Sequence, residues 1–226
     1  MAKAAEYIRG DQYLFKNKVF RIEEIAKGKF LLQFEKQFEL KAGHVVAVAI
    51  DHSHYPRIYS VCSGENDERM QILFDLKDDG VLTPQLSSLN IGDSFYVSKP
   101  YGSFMPEPGM AMWWIATGTG IAPFYSMLRS GFMAEKMLHG AKEGAHFYFE
   151  REFKITLKEN YLRCNSGKDG TGDFFGRVTA YLENQDQLPT NNKYYLCGRA
   201  LMVVEVRDLL ISKGIPYGNI VSEIFF

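Results

Sequence analysis

An antiparallel β-barrel followed by a parallel sheet covered by helices is the fold class this sequence predicts, and three observations predict it. Short β-rich runs separated by turn residues fill roughly the first hundred positions. A break rich in proline and glycine, Met105-Pro106-Glu107-Pro108-Gly109, ends them. Beyond the break, apolar strands alternate with amphipathic helices, the pattern of a parallel sheet.

In the front half, strands are expected at Val19–Ile25, Phe30–Phe34, Val45–Ile50, Arg57–Ser63, Met70–Leu76 and Ser94–Ser98. Gly28-Lys29 is the turn between the first two. A short helix is expected over Thr83–Leu89, with Thr83 as N-cap and Pro84 in the first turn. In the back half, Met112–Ala116 is an apolar strand, and a helix over Pro123–Phe132 follows it. Ala145–Phe149 and Tyr194–Cys197 are further strands. A last helix runs to Ser212 with Met202, Val206, Leu209 and Leu210 on one face, and Gly214 and Pro216 stop it. These elements divide the chain into domains 1–107 and 108–226.

Charge excludes some classes of partner. The 26 basic and 27 acidic residues leave a formal net charge of −1, which gives no basis for binding nucleic acid or an anionic membrane. No run approaches the ~20 apolar residues of a membrane span. The first eleven residues carry Lys3, Glu6, Arg9 and Asp11 and do not read as a secretory signal, so a cytoplasmic protein is expected. Cys62, Cys164 and Cys197 are too widely separated for a disulfide framework or a metal site, and three thiols cannot fill the four places of a plant-type iron–sulfur cluster. His44, His52 and His54 are spaced too loosely for a metal site as well. Any redox group would therefore be organic.

The strand at Met112–Ala116 ends in Thr117-Gly118-Thr119-Gly120-Ile121-Ala122-Pro123. A strand that turns through glycines into a helix is an anion site. The first backbone N–H groups of the helix are unpaired, the helix dipole adds positive charge, and glycine lets a phosphate come close. Pro123 suits the first helical turn. Two glycines alone fit a bare tight turn equally well. The second motif is Arg57-Ile58-Tyr59-Ser60, whose alternation puts Arg57 and Tyr59 on one side of a strand.

Together, and in this order, the two motifs resemble the ferredoxin–NADP reductase family, and the resemblance runs from about residue 15 to 226. It implies a flavin-binding β-barrel followed by a Rossmann-like nucleotide-binding domain. Arg57 would grip a flavin phosphate, Tyr59 would stack on the isoalloxazine, and Ser60 would hydrogen-bond the flavin N5. Ile58 and Ser63 complete the pattern. Gly80-Val81-Leu82-Thr83 resembles the flavin-pyrophosphate turn, which favours FAD, and Lys99-Pro100-Tyr101-Gly102-Ser103-Phe104 and Ala42-Gly43-His44 resemble further family segments. Thr117, Gly118, Thr119, Gly120 and Pro123 would hold the nicotinamide nucleotide. Tyr194-Tyr195-Leu196-Cys197-Gly198 with Met202 resembles the segment that brings Cys197 near the nicotinamide. At the end, Glu223 would orient the nicotinamide or exchange a proton with the flavin, Phe225 would cover the flavin, and Phe226 would reach the flavin adenine.

The resemblance is weakest between Phe149 and Asp173, where Phe149-Glu150-Arg151 takes the place of the family's Gly-x-Arg. The stretch from there to Asn165-Ser166 leaves little room for a helix. Arg151, Ser166 and Lys168 would bind the 2′-phosphate of NADP, or Glu150 the free 2′-hydroxyl of NAD. The implied function is hydride transfer between NAD(P)H and FAD, with single electrons passed to ferredoxin or flavodoxin. The alternatives are a flavin or ferric reductase, an electron-transfer component of an oxygenase, and a binding module of the same fold without cofactor.

Overall fold

The computed structural model describes residues 7–9, 12–51, 53 and 55–225, with the backbone alone for 7–9, 12 and 225. His52, His54 and Phe226 lie outside the described residues. The chain divides into two compact units, one ending at Met105 and one beginning at Pro106.

The first unit holds the strands β1 (Tyr7–Arg9), β2 (Gln12–Ala26), β3 (Lys29–Glu35), β4 (Val45–Ala49), β5 (Arg57–Ser60), β6 (Arg69–Asp75) and β7 (Ser94–Ser98). All pairs are antiparallel, in the order β5-β4-β7-β2-β3-β6, with β1 on β2. The edge strands meet at one end. Val61 bridges Ile72, and the Cys62 N–H donates to the Gln71 carbonyl at 2.9 Å. That contact curls the sheet into the expected barrel. Period-two alternation fills the barrel: Leu32 and Phe34 of β3 and Met70, Ile72 and Phe74 of β6 are buried in one core with Val46, Val48, Phe95 and Val97. The helix α1 (Thr83–Ser87) is a single turn, and Leu82 stands at its N-cap instead of Thr83. The Thr83 hydroxyl accepts the Lys77 N–H at 2.9 Å and so closes the preceding loop.

The second unit is a six-stranded parallel sheet in the order β11-β10-β9-β8-β12-β13. Its strands are β8 (Met112–Thr117), β9 (Lys136–Ala141), β10 (Tyr161–Asn165), β11 (Phe174–Phe175), β12 (Lys193–Arg199) and β13 (Ile220–Phe225). The helices α2 (Ala122–Arg129) and α3 (Glu150–Leu157) pack on one face through Trp114–Phe124 and Phe153–Tyr161 stacks. The helices α4 (Val178–Glu183) and α5 (Ala200–Ser212) cover the other through Val178, Leu182, Met202, Val203, Val206 and Leu210. Gly214 and Pro216 follow α5, where the chain turns away.

One expected strand is misplaced. Residues 145–149 form a short 3₁₀ turn and its exit, and the strand is β9, before them. Because β9 ends at Ala141, α3 has room for eight residues before β10. Ala145–Phe149 imitated a strand because Phe147 and Tyr148 are buried without belonging to the sheet.

The exit of α3 is strained. Lys158 sits at φ 51°, ψ −123°, where a side chain is unfavourable and glycine is not. Lys158 is exposed, so Lys158→Gly removes no packing. We expect this variant to be more stable by ~1 kcal/mol, read as a raised thermal midpoint. An unchanged or lowered midpoint would refute the strain.

Candidate functional site

In the second unit, β8 has β9 on one side and β12 on the other. The chain order reverses there, so the carboxyl ends of β8 and β12 flank a crevice, the place where open α/β sheets bind ligands. Both strands leave the sheet through glycine. After β8, residues Gly118–Ile121 form a 3₁₀ turn that runs into α2, with the buried Pro123 in its first turn. Gly118 is at φ +58° and faces open space, with nothing within 4 Å of a Cβ built there. Gly120 is the opposite case: its Cβ would lie 2.4 Å from the Cys197 carbonyl oxygen. One glycine serves the turn and leaves room for a phosphate; the other lets two strand ends touch. The Thr117 Oγ1 is buried and has no hydrogen-bond partner among the described residues. A ligand hydroxyl or amide in the crevice would satisfy it.

Across the crevice, Gly198 packs against Thr117, and its Cβ would fall 2.4 Å from Thr117 Oγ1 and 3.0 Å from the end of Met202. Cys197 is fully buried on β12, opposite Glu223 on β13, with its Sγ 3.9 Å from Glu223 Oε2. Burial, with the carboxylate beside it, pushes the thiol pKa well up. Cys197 is therefore a neutral, compact group and no thiolate nucleophile. Phe225 follows on β13, paired with Arg199.

The ends of β9 and β10 are interlocked. Ser166 N–H donates to the Ala141 carbonyl at 2.9 Å, and its hydroxyl donates to the same oxygen at 3.3 Å. The backbone at Gly167 lies on the Lys142 carbonyl so closely that a Cβ would be 1.7 Å from it. Lys142, Ser166 and Lys168, all exposed, therefore stand together at the strand ends. Arg151 does not join them through a strand end; it is exposed on α3. Glu150 is committed elsewhere, accepting from Arg163 at 2.8 Å and pairing with Lys154. Arg163 in turn grips both oxygens of Asp173, at 2.7 and 3.0 Å. This network ties α3 to β10 through one oxygen of Glu150, Oε1. Lys142 is the residue the sequence reading missed. It ends Gly140-Ala141-Lys142, a glycine-x-base segment visible only once β9 is placed correctly.

In the first unit, β5 is an edge strand. Arg57 and Ile58 are exposed, Tyr59 is half-buried and Ser60 is buried. Tyr59 packs edge-on against Phe74, ring centroids 6.2 Å apart, and burial raises its hydroxyl to about 12, so the phenol stays protonated. An exposed guanidinium two residues before a half-buried ring, on the open side of an edge strand, fits a phosphate joined to a flat heterocycle. Ser63 is fully buried, and its hydroxyl accepts the Gln71 N–H at 3.1 Å, which helps close the barrel. Gly80 closes a turn by donating to the Lys77 carbonyl at 2.8 Å. Among the described residues no cluster of metal-ligating side chains occurs, and no helix is long and apolar enough to cross a membrane.

Two folded units with these sites define an oxidoreductase that joins a flavin barrel to a nicotinamide-nucleotide sheet. Residues 16–105 match the model of an oxidoreductase FAD-binding domain, and residues 114–208 that of an oxidoreductase NAD-binding domain. A ferredoxin–NADP reductase of Pseudomonas aeruginosa is 31% identical over 215 residues, covering 81% of this chain and 83% of that protein. A flavodoxin/ferredoxin–NADP reductase of Rhodobacter capsulatus is 29% identical over 190 residues, 72% of this chain and 70% of that protein. The crystal structure of a ferredoxin NADP+ reductase from Neisseria gonorrhoeae with bound FAD and NADP superimposes with a TM-score of 0.85 at 20% identity, over 94% of this chain and 99% of that one. The chain belongs to the ferredoxin–NADP reductase family. It is a flavin-dependent enzyme that transfers electrons between NAD(P)H and FAD.

Proposed function

We propose that this enzyme uses NADPH in preference to NADH and exchanges single electrons with a ferredoxin or flavodoxin in the cytoplasm. The observation that carries the coenzyme preference is the interlock of Lys142 with Ser166–Lys168, which gathers two cations and a hydroxyl at the strand ends beside the crevice. Glu150, an acid that would favour a free 2′-hydroxyl, pairs through one oxygen with Arg163. The acceptor rests on the kinship with ferredoxin- and flavodoxin-linked reductases.

In this reading residues 1–107 bind FAD and 108–226 bind the nucleotide. Arg57 holds the flavin phosphates, with Gly80 and Thr83 shaping the turn beside them. Tyr59 supports the ring, and Ile58, Ser60 and Ser63 shape its edge. Thr117 through Gly120 and Pro123 receive the pyrophosphate and ribose. Cys197, Gly198, Met202 and Glu223 line the nicotinamide end, where the neutral thiol and the carboxylate orient the carboxamide. The bound FAD supplies the conversion of a hydride into a proton and two single electrons, and the protein supplies position and field.

The test is rapid-mixing reduction of the FAD-loaded protein by NADPH and by NADH. NADPH is expected to be favoured, and Lys142→Ala is expected to reduce that preference roughly tenfold by removing one charge-assisted contact. Equal rates with both coenzymes in the parent protein would refute the preference. Reoxidation by added ferredoxin and flavodoxin, compared with ferric chelate and free flavin, tests the acceptor. A faster reaction with the small acceptors would overturn it.

A further inference from the structure

We propose that Asp169, acting through the two loops it joins, is the positioning residue that gives this enzyme its grip on the adenosine 2′-phosphate. The inference rests on the phosphate site just proposed. The Asp169 carboxylate takes four hydrogen bonds from three residues on two loops. Its Oδ2 accepts the Gly144 N–H at 2.6 Å. Its Oδ1 accepts the Asn165 side-chain amide at 2.5 Å, and the Thr171 N–H and hydroxyl at 3.2 and 2.9 Å. Gly144 belongs to the loop that follows Lys142, whereas Asn165 and Thr171 bracket the loop that carries Ser166 and Lys168. Asp169 is thus the staple between the two segments that present the cations.

The fit around the staple is tight. A Cβ on Gly144 would lie 2.8 Å from the Thr171 hydroxyl, and Gly167 already lies on the Lys142 backbone. Asn165, 1% exposed, uses its amide for Asp169 and Thr171 and its oxygen for the Gly167 N–H at 2.7 Å. Two glycines let the loops meet, and one carboxylate fixes the meeting. Hydrogen bonds from Gly144 foremost, and from Thr171 and Asn165, hold the carboxyl down to about 2, so it is ionised throughout the working range. The negative charge beside a phosphate site opposes binding by simple Coulomb repulsion. Its four donors point that charge into the loops, and holding in advance the two backbone segments that carry the lysines outweighs the repulsion.

The experiment uses the full FAD-loaded chain and measures binding of 2′-phospho-AMP and of 5′-AMP by calorimetry, together with KM and kcat for NADPH and NADH. Asp169→Ala is expected to weaken 2′-phospho-AMP about tenfold and raise KM for NADPH by the same factor. Binding of 5′-AMP, KM for NADH and kcat stay within about twofold. Asp169→Asn keeps Oδ1 as acceptor and loses only the Gly144 link, so it falls between parent and alanine variant. In a Lys142→Ala background Asp169→Ala has a smaller effect, because it acts through that lysine. Unchanged or tighter 2′-phospho-AMP binding by Asp169→Ala, or equal weakening of both nucleotides, overturns the inference. If the parent protein does not discriminate 2′-phospho-AMP from 5′-AMP, the phosphate site itself fails, and that outcome is seen without any variant.

Discussion

Gly120→Ala is expected to destabilise the nucleotide-binding unit by ~3 kcal/mol or more, although it adds a single methyl group. A Cβ at this position would stand 2.4, 2.5 and 2.6 Å from the Cys197 oxygen, the Cys197 carbonyl carbon and the Gly198 Cα. All three are backbone atoms of β12, so no side chain can rotate away. The strand itself must move, and Leu196 and Cys197 on it are fully buried. Gly118→Ala is the control. Its Cβ meets nothing within 4 Å, and its φ of +58° costs an alanine ~1 kcal/mol. The two variants therefore separate the roles of the turn. Gly118→Ala should leave the fold nearly intact and weaken NAD(P)H where the new methyl group faces the phosphate. Gly120→Ala should lower the melting midpoint, by roughly 6–12 °C at ~2–4 °C per kcal/mol. Both tryptophans, Trp113 and Trp114, lie on β8, so tryptophan fluorescence follows this unit alone. A Gly120→Ala midpoint within about 2 °C of the parent would show that the contact is not a constraint.

This pair also shows what was legible in the sequence. The glycine turn could be read because its two glycines answer a local demand and a contact between neighbouring strands, and both leave a short pattern. Arg57–Ser60 could be read because a strand alternates, whatever surrounds it. The division of the chain followed from a change in composition around Met105–Gly109. Strand β9 could not be read. Its sequence, Lys136-Met-Leu-His-Gly-Ala141, carries a histidine and a glycine in the places where apolar, branched residues mark a buried strand. Gly140 is there because a Cβ would strike Thr117 at 2.8 Å and Val178 at 3.0 Å, a tertiary reason that no periodicity reports.

The place of this strand also decides which base stands at its end: a strand at Ala145–Phe149 points to Arg151, whereas β9 is followed by Lys142. The ion pair of Glu150 with Arg163 joins a helix to the next strand, a contact that no local pattern reports. Asp169 carried no signal at all: it is one of several polar residues in Ser166–Asp173, and its meaning lies in the Gly144 N–H, 25 positions away. Local rules found the residues that shape backbone. They could not find those whose function depends on which loops meet.

The histidine that hid β9 makes the enzyme sensitive to acid. His139 is fully buried, with Nδ1 2.8 Å from the Tyr161 hydroxyl and, among the described residues, no partner for Nε2. Phe147 packs edge-on against the imidazole at 5.2 Å, and the Arg163 guanidinium lies over the Phe147 ring, 5.7 Å from its centroid. Glu150 and Asp173 face Arg163 and leave no carboxylate for the imidazole. Burial depresses the His139 pKa from 6.5 to about 3. Above pH ~6.5 the ring is neutral in both folded and unfolded chains, and pH has no effect through this group. Below that value the unfolded chain takes up a proton that the folded chain refuses, so stability falls as pH falls, until about pH 3. At ~1.4 kcal/mol per unit, the loss is about 2 kcal/mol by pH 5 and about 5 kcal/mol by pH 3. His139→Gln keeps a polar partner for Tyr161 and cannot titrate. It is expected to be less stable than the parent at pH 7 and to lose less on acidification, so the two denaturation midpoints converge between pH 7 and pH 5. Parallel pH dependences for parent and variant, followed by tryptophan fluorescence in urea, would show that His139 is not the group responsible.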